Sequence, residues 1–395
     1  MSARPRGGRA VLPAFRTGAF YAAVFAALGV HLPFWPLWLE DRGLSAAQIG
    51  VYSALAVAAK VAVGLAAPAL ADRFEARRAM LAGAGLFGAA AFAAHLLAAE
   101  AAALVALSVA AAATFSAMMP VGEALGAAAA RDFGFDYARV RAVGSAGFLA
   151  ASLLMGAAVA QAGPGAALWA IVACLLAAAA LGRTHPGGGR ARALGRPDLG
   201  QMRRLFSDGR FALFLLAIGM AQGAHGVIYA FGSLHWRALG LDEGRIGALW
   251  AFGVAAEIAL MALAGRALVR RLGAAGAIAL SGAAGAVRWA AMAFDPVGAA
   301  LWALQGLHAL TFAAGHLGAI AFVSAAAPER LAGAAQGALG ALASGALMAA
   351  ATALAAAIYG WAGGGVYWIP ALMSAAGAAA ALRLGRVWRG ERIMD

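Results

Sequence analysis

The chain has 395 residues, of which 64% are hydrophobic and only 12% charged. A soluble domain carries roughly 25% charged and 45–50% apolar residues, so one water-solvated core is excluded. The net charge of +13 would suggest nucleic acid in a soluble protein, but these arginines lie between long apolar stretches, where they set membrane orientation. No nucleic-acid partner is expected.

Mean hydropathy is +0.81, and stretches of about 20 mainly apolar residues, the length that crosses a bilayer, recur along the chain. Strand-type alternation is absent and alanine dominates, so the spans read as helices and not as a barrel. In the first half they are predicted at 15–39, 46–71, 78–98, 102–130, 138–162 and 165–183. In the second half they are predicted at 209–236, 243–268, 273–294, 297–326, 330–359 and 365–386. The expected fold class is an all-α polytopic membrane protein with 12 transmembrane helices. Arg4, Arg6, Arg9 and Arg16 precede the first apolar stretch as they would in a signal peptide. That stretch runs past Trp38, too far for a cleaved leader, and reads as a retained first helix.

One long break interrupts the series, THPGGGRARALGRPDLGQMRRLFSD from Thr184 to Asp208. Its Gly, Pro and Arg content reads as a linker. The expected organisation is a six-helix bundle over 1–183, a cytoplasmic linker over 184–208, and a second bundle with a basic tail over 209–395. If the N-terminus is inside, 25 of the 30 basic residues fall at cytoplasmic segments and 3 (Arg42, Arg237 and Arg245) fall outside. A missed or invented span would destroy that asymmetry, because every later loop would change sides. The expectation is a multi-pass protein of the bacterial inner membrane with both termini cytoplasmic.

Pro33 and Pro36 fall in span one, Pro68 in span two and Pro120 in span four, where each removes a backbone donor and favours a bend. The glycine pairs Gly122/Gly126, Gly219/Gly223 and Gly333/Gly337 are spaced for close helix approach. Cys174, the single cysteine, excludes an intrachain disulfide and a cysteine metal site. Neither a nucleotide-binding glycine loop nor an HExxH motif is present, so neither a cofactor nor a metal is expected, and the chain is not read as an enzyme.

A charge at mid-bilayer costs roughly 2.5–3.5 kcal/mol on insertion scales, so each one needs a reason. Lys60 lies 12 residues before Asp72, about 18 Å along a helix, too deep to snorkel; a pathway role and a structural ion pair both fit. Glu257 is well inside span eight and suits either proton carriage or a static pair. Glu123 is deep in span four and Arg141 opens span five, where it is either an orienting arginine or a partner of Glu123. Arg288 is only 7 residues before Asp295, within reach of the outer surface.

Span ten carries Gln305, His308, Thr311 and His316. On an ideal helix Gln305 and His316, 11 residues apart, are almost in phase. Span seven adds Gln222 and His225. These histidines suit a proton relay or plain packing. Trp35, Tyr229, Trp250 and Trp289 lie at similar depths and either clasp a ring or fill the core. Trp38 and Trp236 are expected in the outer interfacial belt.

Several strings are shared with known transporters. PALADRFEARR (Pro68 to Arg78) resembles the major facilitator superfamily's loop between spans two and three. Asp72, Arg73, Arg77 and Arg78 fit its charged skeleton, and Glu75 or Ala76 replaces its usual glycine. PVGEALGAAAARDFGFDYARVRAVGSAGF (Pro120 to Phe148) resembles the lactose permease group, with Glu123 and Arg141 on that group's acid–arginine pair. QGAHGVIYAFGSLHW, LWAFGVAAEI, VRWAAM and QGLHALTFAAGHL, in spans seven to ten, resemble the 3-phenylpropionate transporter family, and FYAAVFAALGVHLPFWPLWLEDRGLS in span one fits too.

The resemblance implies a major facilitator fold of two pseudo-symmetric six-helix bundles, working by alternating access as a monomer. It implies proton-coupled symport of a small organic solute, an aromatic monocarboxylate among the candidates. A sugar or nucleoside symporter, or an exporter on the same fold, remains as the alternative. Substrate contacts are expected from Trp35, Glu123, Arg141, Gln222, His225, Trp250, Arg288 and Trp289, and a cytoplasmic gate from Asp72, Arg73, Arg77 and Arg78. In the lactose permease pattern a carboxylate follows the span-ten histidine by three residues. Here that position is Thr311, which moves the proton to Glu257 with His308 or His316.

Overall fold

In the computed structural model, which describes residues 10–188, 199–328 and 331–394, every regular element is helical. Arg4, Arg6 and Arg9, and residues 189–198 of the expected linker, lie outside the described residues. The first six helices are α1 (Val11–Asp41), α2 (Ala46–Arg73), α3 (Arg77–Ala94), α4 (Ala101–Phe133), α5 (Tyr137–Ala162) and α6 (Gly165–Arg183). Among the described residues, ten helical stretches are long and apolar enough to cross a membrane. The last of them, Ala334–Val387, is 54 residues long and holds two span-length stretches that part at Gly363–Tyr367, and the 18-residue α3 lies between its neighbours. The predicted twelve-span, multi-pass reading therefore stands.

Local chemistry sets the ends. Ser45 and Gln48 form a reciprocal capping box at the start of α2, satisfying amides that the helix leaves open. Asp136 caps α5, and Gly134 ends α4 at φ +74°, a conformation that glycine takes without strain. Pro33, Pro36, Pro68 and Pro120 are all carried inside unbroken helices. Between α2 and α3, Glu75 adopts φ +51°, so an acidic side chain sits where the turn asks for glycine.

The second half holds α7 (Leu199–Ser207), α8 (Gly209–Gly223), α9 (Gly226–Ala238), α10 (Glu243–Leu263), α11 (Gly265–Met292), α12 (Gly298–Gly306), α13 (Gly315–Ala326), α14 (Ala332–Ala341), α15 (Met348–Ala362) and α16 (Trp368–Val387). Helix α7 lies inside the segment read as a linker, 184–208. Predicted span seven is two helices, α8 and α9, meeting at Ala224 and His225. Predicted span nine begins at a real break: Gly273 has φ 68° and ψ 176° inside α11. Spans ten and eleven each contain a π-helical turn, at Ala309–Ala314 and Leu342–Leu347.

The chain forms two compact units. One contains α1 to α6 with Leu241–Ala251, the opening turns of α10, and the other contains the remaining helices. In the first, α1 packs on α5 and α6, α2 on α4, and α3 on α6. Gly122 and Gly126 admit the rings of Phe20 and Tyr21. In the second, α16 packs on α8 and α11, and α11 also packs on α13. Gly219 and Gly223 admit Leu347 and Met348 there, whereas Gly337 faces open space. Trp38 and Trp236, expected at the interface, are buried at 4% and 1% exposure. Depth along a helix fixed their height but not the face they occupy.

Candidate functional site

Each unit carries buried or half-buried charged groups among its apolar helices. In the second unit Arg288, on α11, is only 1% exposed. It does not reach outward, contrary to its sequence position near Asp295. One terminal nitrogen donates to Thr311 Oγ1 at 3.0 Å and to His308 Nδ1 at 3.2 Å. The other donates to Gln305 Oε1 at 2.5 Å. The guanidinium also lies 4.3 Å from the centre of the Trp289 ring, a favourable cation–π placement. Its Nε has no acceptor among the described residues.

These contacts fix tautomers. Arginine only donates, so His308 Nδ1 accepts and the neutral ring carries its proton on Nε2. That nitrogen is 3.4 Å from Glu257 Oε2. His225 has the opposite arrangement: its Nδ1–H donates to the Gln222 carbonyl at 3.1 Å. Its Nε2 then accepts from Thr311 Oγ1 at 3.2 Å. A directed chain runs from Arg288 through Thr311 to His225, and Glu257 stands beside the second branch, 3.4 Å from His308 Nε2.

The π turn at Ala309–Ala314 builds this group. A wide turn disturbs the usual ladder of backbone bonds, and side chains from two other helices fill the places. Gln222 Nε2 donates to the Phe312 carbonyl at 3.1 Å, and Ser281 Oγ to the Thr311 carbonyl at 2.6 Å. Gly315 makes room: a Cβ there would stand 2.5 Å from Gln222 Nε2 and 2.7 Å from Ser281 Oγ. The near-phase of Gln305 and His316 expected on an ideal helix is therefore lost, and the four polar residues Gln305, His308, Thr311 and His316 do not form one group. The first three meet Arg288, whereas His316 stacks on Phe312 with ring centres 6.1 Å apart.

Trp289 is fully buried, edge-on to His225 at 5.3 Å and stacked on Tyr367 at 6.2 Å. Trp250 is buried too, but in the opening turns of α10 that belong to the first unit. Those turns lie tight on α5: a Cβ on Gly247 would run into the Ser152 carbonyl.

In the first unit, Arg141 Nε donates to Glu123 Oε1 at 2.5 Å, and Tyr137 donates its hydroxyl to Glu123 Oε2. The Arg141 guanidinium lies 4.3 Å from the Phe25 ring centre and 5.2 Å from that of Tyr21. Tyr21 donates to the Gly122 carbonyl at 3.2 Å. The pair was legible in the sequence, but Tyr21, Phe25 and Tyr137 were not singled out. Trp35 is fully buried, bonded to Ser108 Oγ at 3.1 Å and stacked on Trp38 at 4.7 Å. Lys60 makes no hydrogen bond or ion pair among the described residues. His31 Nε2, in the same unit, is 3.0 Å from the Tyr52 hydroxyl.

The charged loop after α2 divides its work. Arg77 Nε bonds Asp72 at 2.5 Å, Arg73 lies over Phe74, and Arg78 donates to the carbonyls of Gly187 and Pro186 beyond α6. That strap is held close to α4. A Cβ on Gly187 would run into the Leu125 carbonyl, and His185 Nδ1 accepts from the Gly187 amide at 3.1 Å.

The sequence has relatives that agree with this architecture. A probable 3-phenylpropionic acid transporter of Escherichia coli (strain K12) is 31% identical over 371 residues, covering 90% of this chain and 93% of that protein. The crystal structure of a point mutant of the nucleoside transporter NupG superposes with a TM-score of 0.82 at 16% identity, covering 95% of this chain and 100% of the other. A bacterial homologue of the human lysosomal transporter Spinster superposes at 0.68 and 14% identity, covering 98% and 96%. At those identities the two structures speak for the fold alone. These relatives are transporters and not enzymes. The MFS_1 like family model matches residues 15–369, and the chain, a multi-pass helical membrane protein, belongs to that family of major facilitator transporters.

Proposed function

We propose that the protein is a proton-coupled symporter of the inner membrane, with both termini cytoplasmic, that takes up an aromatic monocarboxylate and works as a monomer. The observation that carries this reading is the run Arg288–His308–Glu257. Arg288 occupies His308 Nδ1, so the neutral imidazole carries its proton on Nε2, which is 3.4 Å from Glu257 Oε2. Glu257 is the group in that run with a free valence for a proton. Protonating it neutralises the carboxylate beside His308 and turns one of its oxygens into a donor, which weakens the contact with His308 Nε2–H and, through His308, loosens Arg288. A proton and a solute are coupled when both bias the same arrangement.

The carboxylate class is supported by the relative named for 3-phenylpropionic acid. Of the charged groups within the spans, Arg141 is held by Glu123 and Arg288 by three neighbours. Among the described residues within the spans, Lys60 is the cation without such a commitment, and in this reading it meets the substrate carboxylate. A charge-assisted contact in a low-dielectric site orients an anion strongly.

The test is uptake of radiolabelled 3-phenylpropionate into proteoliposomes with and without an imposed pH gradient. Wild-type protein is expected to accumulate it only with the gradient. Glu257→Gln is expected to abolish accumulation while keeping exchange across the membrane. Lys60→Met is expected to raise KM about tenfold or more. Gradient-independent uptake, extrusion, or transport of uridine in its place would overturn the reading.

A further inference from the structure

A groove of about 700 Å³ opens on the second unit, between the start of α11, α13 and the end of α16. Small residues make it. Gly273 breaks α11 with φ 68°, and Gly276, Ala279, Ala321, Ala325 and Gly385 leave its floor without bulk. Leu272 and Leu382 form walls and are 47% and 61% exposed. A membrane helix facing lipid with so little side-chain volume leaves a furrow that protein does not fill.

The mouth is cationic. Arg386 and Arg389 line it, and Arg270 and Arg271 occupy the two positions before Leu272 and Gly273. All four are exposed, and none forms a side-chain ion pair among the described residues. The nearest acid in sequence, Glu391, is committed elsewhere. Its carboxylate takes Arg210 Nη1 and the Arg389 amide, both within 2.9 Å. Trp388 closes one side, anchored by its indole N–H on the Glu391 carbonyl at 2.8 Å and packed on Phe322.

We propose that this groove is a binding site for one anionic glycerophospholipid, its acyl chains in the Ala/Gly furrow and its phosphate on Arg386 and Arg389. Charge complementarity selects the occupant. Guanidinium groups pair with phosphate oxygens bidentately, and basic pockets between membrane helices take anionic headgroups. A zwitterionic lipid fills the furrow but brings its own cation to the arginines. A soluble anion meets the arginines but leaves the furrow empty.

The test is native mass spectrometry of the delipidated full chain, titrated with phosphatidylglycerol and with phosphatidylcholine of identical acyl chains. The first phosphatidylglycerol is expected to bind about tenfold more tightly than phosphatidylcholine. The double variant Arg386→Gln/Arg389→Gln is expected to bind the two alike. Ala321→Leu, which fills the furrow, is expected to weaken both. Glycerol phosphate at equal concentration should leave the bound lipid in place. Equal binding of the two lipids by the wild-type chain overturns the proposal, whatever the variants do. So does displacement by glycerol phosphate, or a preference that survives loss of both arginines.

Discussion

The guanidinium of Arg288 stands 3.2 Å from Nδ1 of His308 and thereby decides which nitrogen of that ring carries a proton. A single buried cation sets the hydrogen-bond direction of three side chains, because Gln305 and Thr311 also accept from it. Predictions about this centre concern the shape of the cation as much as its charge.

Arg288→Lys keeps the charge and loses the planar fork. One ammonium cannot reach Gln305, Thr311 and His308 from the guanidinium's positions, and it gives up the flat contact with Trp289. Initial uptake rates in proteoliposomes are expected to fall at least about tenfold, with a stability loss of about 1–3 kcal/mol from buried acceptors left unpaired. Uptake assays and thermal unfolding of the same preparation check both.

His185, in the strap after α6, is pushed down to about 4 by burial, with the Arg78 charge adding to the effect. The folded protein therefore holds the neutral ring, while the unfolded chain takes up a proton below about 6.5. Its contribution to stability is complete above that value and is lost as pH falls toward 4. Between pH 7 and pH 5 the loss is about 2 kcal/mol. Asp208, held below its ordinary range by Arg210, adds a loss of the same sign at lower pH. Thermal unfolding across a range of about pH 4.5–7.5 should show the upper step in wild-type protein, and His185→Gln should flatten it.

Glu75 holds a left-handed backbone at φ +51°. Glycine takes that conformation without a Cβ penalty. Glu75→Gly is expected to raise stability by about 0.5–1 kcal/mol, the relief of strain exceeding the added freedom of the unfolded chain. A melting temperature that falls would show that the glutamate side chain's own contacts outweigh the backbone cost.

The helices were legible because lipid leaves hydropathy as nearly the whole signal, and the break at Gly273 fell where span nine was predicted to begin. Faces were less legible. In helices built of alanine and glycine, little polarity contrast tells one side from another, so Trp38 and Trp236 were placed by depth and not by direction. The Glu123–Arg141 pair was one of the readings open for two charges set within the membrane, and the resemblance favoured it, although 18 residues and a loop separate its members. The split between His308 and His316 could not be read at all. Sequence phase was counted at about 3.6 residues per turn, and the wide turn between them has no compositional mark.

That wide turn also limits how the chain can change length. The side chains of Gln222 and Ser281 are seated on carbonyls of Thr311 and Phe312 that a regular coil would present differently. Removing one residue between Ala309 and Ala314 would restore the regular coil and take away the carbonyl geometry that the wide turn presents. Two donors from distant helices would lose their seats at once. Insertions and deletions in descendants of this gene are therefore expected to avoid this segment, even where point substitutions are tolerated.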